Sequence, residues 1–291
     1  MIVAKLKGGL GNQMFQYALG RSLSINNNTS LILDSCALED KTQPHIYRRF
    51  ELGNFNIDAI VQNGGFLTTQ RKTISKLYFF LDFINNKKRL DFIPEKQFPY
   101  DDKITKLTDN VYIDGYWNSP KYFNQIAEVI KKDFTFKQTL NTKNLKTAIH
   151  IQSCLSVSLH VRRGDYISNP ETNAFHGTCN TSYYEKAIHL ICEKHPSAIF
   201  FIFSDDPIWV SENLKIEAEH YMISKQEESN AIQEMHLMTL CKHSIIANST
   251  FSWWAAWLIN NSEKVVIAPY QWFKNSNINT DDLFPSSWIR I

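Results

Sequence analysis

Short apolar stretches rich in β-branched and aromatic residues alternate along this chain with runs whose apolar positions recur every three or four residues. The first kind of pattern predicts strands at 2–7, 30–33 and 111–117, and again at 156–161, 198–203, 244–247 and 264–268. The second predicts helices at 12–23, 181–195, 229–241 and 253–259, with one more at 121–132, where Ser119 can cap and Pro120 can occupy the first turn. Strand and helix taking turns means parallel sheets covered by helices, hence an α/β chain of two Rossmann-like domains. The stretch 136–144 turns polar and marks the boundary, giving domains 1–140 and 141–291. Residues 45–103 carry no pattern that orders them.

Parallel sheets bind ligands outside the carboxyl ends of their strands, so the residues that follow each strand carry the argument. The strand 156–161 runs into Arg162, Arg163, Gly164 and Asp165. Arginine forks hold phosphate oxygens in one geometry and keep their charge when desolvated. Alternation puts His160 and Arg162 on one face and Arg163 on the other. Arg162 is therefore expected to meet a ligand, and Arg163 to brace the loop through Asp165 or a backbone carbonyl. A solvated turn would also account for this tetrapeptide taken alone. Later strands end in Asp205 and Asp206, then in Asn248, Ser249 and Thr250, then in Tyr270, Gln271 and Trp272. Adjacent carboxylates on a strand point apart, which suits a guanine edge better than a metal. Ser249, Thr250 and Ser252 precede the apolar run 253–259 and cap a helix whose amino end can receive phosphate, although capping would hold without a ligand.

In the first half, Gly8, Gly9 and Gly11 break the pattern between strand and helix. Such glycines let backbone approach a ligand, and the helix start favours an anion or a sugar hydroxyl. Neither a dinucleotide fingerprint nor a P-loop is present, and a tight connection is the plainer reading. Tyr116 and Trp117 end the strand 111–117, where an aromatic face can stack on a sugar ring or simply pack.

The chain has 291 residues, enough for two domains, and 31 basic against 29 acidic residues, which gives no reason to expect nucleic acid. Its five cysteines have no CxxC spacing and their odd number argues for a reducing compartment. No stretch has the length of a membrane span, so a cytoplasmic protein is expected. The stretch 76–89, apolar and then basic, can rest on an anionic inner-membrane surface, though aromatic residues more commonly pack in a core.

Taken together, GGLGNQMFQYALG at 8–20, HVRRGDY at 160–166, FSDDP at 203–207 and NSTFSWWAAWL at 248–258 resemble the α-1,2-fucosyltransferases of glycosyltransferase family 11. GYW at 115–117, followed by YF at 122–123, fits as well. The resemblance implies a GT-B type fold and inverting transfer of L-fucose from GDP-β-L-fucose to the 2-hydroxyl of a galactose-terminated oligosaccharide, without a metal, in bacterial surface polysaccharide such as O-antigen. It implies that Arg162 holds the pyrophosphate and that His160 and Asp206 contact guanosine. Ser249, Thr250, Phe251 and Ser252 match the phosphate and base segment, with Gly9 and Gly11 as further donor contacts. Asn12 matches an asparagine that lines the cleft from the other domain. The pattern offers no aligned glutamate after Asp165 for the catalytic base. Asp165, Glu171 and His176 are candidates; Asp165 is chosen because it lies nearest Arg162, and Glu171 and His176 join Tyr116 and Trp117 as acceptor contacts. A GDP-mannose enzyme, a protein fucosyltransferase and a non-catalytic nucleotide-sugar sensor are the rival readings.

Overall fold

The computed structural model describes residues 1–38, 48–62, 90–164, 167, 169–224 and 230–291. The stretch 76–89 and Asp165 lie outside the described residues. The chain divides into two compact units, one made of Met1–Lys137 with Asn279–Phe284, the other of Gln138–Ile278 with Pro285–Ile291. The return of 279–284 to the first unit had no signal in the sequence. Among the described residues no helix is long and apolar enough to cross a membrane.

The first unit contains β1 (Ile2–Lys5), α1 (Leu10–Asn26), β2 (Leu31–Asp34), β3 (Ile60–Gln62), β4 (Asp91–Pro94), α2 (Asp102–Thr105), β5 (Val111–Asp114) and α3 (Ala127–Asp133). Its sheet is parallel in the order β3-β2-β1-β5-β4. The central strand β1 buries Ile2, Val3 and Ala4 completely, as a strand covered on both faces must. On α1 the Tyr17 hydroxyl donates to Asp133 Oδ2 at 2.6 Å and accepts the Asp58 N–H, while Arg21 pairs with both carboxylates. That network ties α1 to α3 with the buried charge of Asp133 answered from two sides.

The expected helix 121–132 is broken. Ser119 accepts the Lys121 N–H and Pro120 opens the turn as predicted, but two 3-10 turns, Pro120–Tyr122 and Asn124–Ile126, come before α3. Tyr122 and Phe123 are both buried. The backbone leaves helical geometry at Phe123, where φ is -139°. The strand expected to reach 117 stops at Asp114.

The second unit contains α4 (Thr142–Ser153), β6 (Ser156–Val161), α5 (Pro170–His176), α6 (Thr181–Lys194), β7 (Ile199–Ser204), α7 (Pro207–Asn213), β8 (His220–Met222), α8 (Ala231–Leu240), β9 (His243–Ile245), α9 (Thr250–Leu258), β10 (Val266–Ala268) and β11 (Ile289–Arg290). The sheet order is β11-β10-β9-β6-β7-β8, again parallel. All six residues of β6 are buried. Val157, Leu159, Phe200, Ile202 and Ile245 pack under Tyr184, Ala187, Ile188 and Ile191 of α6, whose spacing is the apolar stripe read from the sequence. The polar Ser158 is accommodated by a hydroxyl pair with Ser244 at 2.8 Å.

Both sheets reverse direction once. In the first, the chain moves outward from β1 through β2 and β3, then crosses to the far edge at β4 and returns to β5 beside β1; in the second, it moves from β6 through β7 and β8, then restarts at β9. The two switch points lie between β1 and β5 and between β6 and β9. These are the crevices where α/β sheets take ligands.

At the opposite end of the second sheet, His243 Nδ1 accepts the Val265 N–H at 3.0 Å and its ring stacks on His195 at 4.4 Å. Burial, then His195 and Lys194, hold the His243 imidazole down at about 4. A histidine kept neutral by folding contributes stability above its ordinary value near 6.5, and that contribution is lost as pH falls toward the folded value. The unfolding midpoint is therefore expected to drop between about pH 6.5 and pH 4 and to drop less steeply in His243→Asn, as denaturant titrations across that range would measure.

Candidate active site

At the switch point of the second unit, the register of β6 with β7 sets Val161 opposite Ser204. The residues that follow continue in step. Arg162 Nη1 pairs with Asp205 Oδ2 at 2.8 Å, and Arg163 Nε with Asp206 Oδ2 at 3.2 Å. Asp205 also takes the Arg163 N–H on Oδ1, so the arginine loop folds around this one carboxylate. Gly164 is needed there: a Cβ at this position would stand 2.7 Å from Asp205 Oδ2.

The two arginines have different surroundings. Arg163 lies 3.9 Å over the Trp209 ring, and its side chain is 16% exposed. Arg162 is twice as exposed, at 32%, which leaves it as the arginine a ligand can reach. The expected brace of Arg163 by Asp165 or a carbonyl is replaced by Asp206 and a cation–π contact. Asp206 is occupied on both oxygens, since Oδ1 caps α7 by accepting the Trp209 N–H. A guanosine contact through Asp206 would have to share those partners.

His160, on β6 beside Arg162, is buried, and its Nδ1 has no hydrogen-bond partner among the described residues. Burial pushes its imidazole down to about 4, with Asp205 opposing and Arg162 reinforcing the shift. It is thus a neutral ring. Its face lies 5.6 Å from Phe251, on the first turn of α9 across the switch point. Helix α9 begins at Thr250 with Ser249 in the capping position, yet among the described residues no side chain makes a capping bond to it. The serine capping expected from the sequence is therefore not made: the Ser252 hydroxyl turns back to the carbonyls of Ala247 and Ser249. An uncapped helix start beside an arginine is a site of positive potential. Beneath it, Asn248 donates to the carbonyls of His176, Gly177 and Trp272, which ties the end of α5 to α9. His176 packs between Phe175 and Phe273. Glu171 lies on α5.

The first unit places Gly9 at the amino end of α1, with Gly11 and Asn12 in its first turn. Glu51 stands beside this helix start, and its own N–H donates to Gln13 Oε1. Burial raises the Glu51 carboxyl while Arg48, the Leu10 N–H and Arg49 pull it back. At the neighbouring switch point Tyr116 is exposed and Trp117 buried, and both backbone N–H groups are held by Glu95. Glu51 and Glu95 fall in the region that carried no sequence pattern, and nothing in the sequence marked Trp209.

The sequence matches Glycosyl transferase family 11 across residues 1–291. The chain belongs to that family. The family gives it glycosyltransferase activity, and its two parallel sheets are those of the GT-B type. Among its relatives, an alpha-1,2-colitosyltransferase of Escherichia coli is 35% identical over 100% of this chain and 99% of the relative. The O-antigen biosynthesis glycosyltransferase WbnK of Escherichia coli is 34% identical over 98% of this chain and 99% of its own. Galactoside alpha-(1,2)-fucosyltransferase 1 of Saimiri boliviensis boliviensis is 25% identical over 58% of this chain and 46% of its own. A solved Arabidopsis thaliana FUT1 variant in complex with GDP shares the fold, with TM-score 0.50 and 13% identity over 91% of this chain and 69% of that one.

The arrangement around Arg162 is tested by GDP. Arg162→Lys keeps the charge but not the fork, so most of the thermal stabilisation that GDP gives the wild type should disappear in the variant. Equal stabilisation of both proteins in a melting series would remove Arg162 from the phosphate site.

Proposed function

We propose that this family 11 glycosyltransferase moves L-fucose, or a close deoxy relative of it, from a GDP-sugar to the 2-hydroxyl of a galactose-terminated oligosaccharide, with inversion. The observation that carries the reading is the pairing of an accessible, pre-oriented Arg162 with the uncapped start of α9 across one switch point. In the transfer, the acceptor oxygen forms a bond to the anomeric carbon as the bond from that carbon to the diphosphate breaks. GDP leaves with the electron pair, and a base takes the hydroxyl proton. Arg162 and the helix start stabilise the departing charge, a contribution on the scale of about 2.7–4 kcal/mol for a single well-placed donor. His160, Thr250 and Phe251 line the same crevice and suit the nucleoside. Asp165 remains our proposal for the base.

The donor sugar is the point at which the relatives differ. Colitose lacks the 3-hydroxyl of fucose, and both a colitosyltransferase and fucosyltransferases are relatives of this chain. Offering GDP-L-fucose and GDP-colitose in parallel with a lactose-type acceptor, then locating the new linkage by NMR, decides between them. Product with neither donor but tight GDP binding favours a sensor. Surface polysaccharide is the proposed destination, supported by the O-antigen enzyme among the relatives. Work on the cytoplasmic side is supported by five cysteines that are all free; peripheral contact at the inner membrane is a further part of the proposal.

We also propose that no metal takes part, since Arg162 and α9 supply the positive potential that a cation would otherwise bring. Turnover is expected to survive EDTA, and loss of activity that Mn²⁺ or Mg²⁺ restores would refute this. For the base, Asp165→Asn should keep GDP affinity while turnover falls by roughly a hundredfold or more. A collapse of GDP affinity in that variant would make Asp165 a strut.

A further inference from the structure

The switch point of the first unit is built around a carboxylate that the transfer chemistry does not call for. Glu95 follows β4, and its N–H continues the ladder to the Asp114 carbonyl at 2.9 Å. Its side chain then crosses to the turn after β5. Oε2 accepts the Tyr116 N–H at 2.7 Å and Oε1 the Trp117 N–H at 2.9 Å. Two successive N–H groups thus converge on the two oxygens of one carboxylate. Gly115 makes room for this, because a Cβ there would lie 2.4 Å from the Glu95 Cβ and 2.6 Å from Trp117 Cε2. Trp117 has φ of +57°, a left-handed conformation that a bulky residue adopts only under constraint.

The constraint aims the two rings in opposite directions. Trp117 is 2% exposed and packs edge-on against Tyr122 at 5.9 Å, whereas Tyr116 is 40% exposed. The turn is fixed from two more sides. Gln16 donates to the Gly115 carbonyl at 3.1 Å, and Lys7, bonded to Asp114 Oδ1 at 2.9 Å, lies 4.7 Å from the centre of the Tyr116 ring. Lys7 comes from the end of β1 and Tyr116 from the end of β5, the two strands that flank the crevice. A presented aromatic face rimmed by hydrogen-bonding groups is the chemistry that takes the apolar face of a sugar ring.

We infer that Glu95 is a positioning residue for the acceptor: its carboxylate holds the Tyr116–Trp117 turn so that the Tyr116 ring stands as the platform for the acceptor's sugar ring. This rests on the proposal that Tyr116 and Trp117 contact the acceptor. The clamp needs the ionised form, because a neutral carboxylic acid or an amide turns a donor toward one of the two N–H groups. Lys7, Asp114, Tyr116 and Tyr122 are the charged and titratable groups around it. Burial raises the Glu95 carboxyl above its ordinary value, while the two N–H groups and Lys7 pull it down and Asp114 adds a smaller upward push. The clamp is therefore made above the folded pKa and released as pH falls through it.

The test compares wild type, Glu95→Gln, Tyr116→Ala and the double variant, using the donor and galactoside that react in the linkage assay. Glu95→Gln is expected to raise the acceptor KM about tenfold or more while donor KM and GDP stabilisation stay within about twofold. The double variant should be no worse than Tyr116→Ala, since Glu95 acts through the turn. Wild-type acceptor KM should climb toward acid pH with donor KM flat, and that climb should vanish in Glu95→Gln. If Tyr116→Ala leaves acceptor KM unchanged, the acceptor reading of this crevice falls and the clamp with it. If Tyr116→Ala raises acceptor KM but Glu95→Gln only lowers the melting temperature, the acceptor reading stands and Glu95 is a strut. Should Glu95→Gln fail to fold, a wild-type acceptor KM that stays flat down to the lowest pH at which the enzyme remains folded overturns the inference.

Discussion

Two arginines and two aspartates, facing each other in register at the ends of adjacent parallel strands, set the geometry of the second unit's crevice. Their order follows from the pairing of β6 with β7, which places Val161 beside Ser204 and leaves the next residues of each strand to meet in turn. The pairs are not equivalent. Asp206 is divided between Arg163 and the start of α7, and Trp209 on that helix returns to cover the same guanidinium. That side is consumed by structure. Asp205 instead gathers the backbone of the loop and one end of Arg162, so it orients a cation that still reaches solvent. Partly exposed ion pairs contribute little to stability by themselves, and what this ladder provides is direction. A guanidinium already aimed before the diphosphate arrives has less side-chain entropy to lose on binding.

The same crevice shows why the helix start is left uncapped. A serine at the first position of α9 would ordinarily turn its hydroxyl onto the backbone N–H groups and satisfy them. Here Ser249 makes no such bond, and the Ser252 hydroxyl turns back to carbonyls. Two helices that begin alike in sequence, each after a strand and a run of small polar or glycine residues, differ in the charge that stands near them: the Glu51 carboxyl by α1, and Arg162 at the end of the strand beside α9.

Much of this was legible because the code for buried parallel strands is strong. The alternating apolar Val157, Leu159 and Val161 and the helical stripe of Tyr184, Ala187, Ile188 and Ile191 mark a strand and a helix, and the strand ends then named Arg162 without a structure. The failures have local causes. Tyr122 and Phe123 read as helix because each is a plausible helical residue, but the chain leaves helical geometry at Phe123, a break that local propensity does not mark. Asp206 was named from the family resemblance, whereas the part Asp205 plays in folding the arginine loop depends on strand register and had no signal in the sequence. Glu51 and Glu95 sit in short irregular segments, 48–59 and 95–101, where no period exists to read. Their importance depends on backbone N–H groups far along the chain.

The two crevices use opposite electrostatic strategies, and the difference matches what each is proposed to hold. A diphosphate is a dense anion, so the second unit offers cationic and N–H groups that its own residues leave partly unsatisfied. A neutral sugar gives no such charge to aim at. The first unit accordingly spends its carboxylates on its own backbone. Glu95 takes the N–H groups of Tyr116 and Trp117, which removes two anion-attracting groups from the turn after β5 and at the same time fixes an aromatic face. A diphosphate approaching that turn meets N–H groups already paired, with Lys7 committed to Asp114 and the Tyr116 ring.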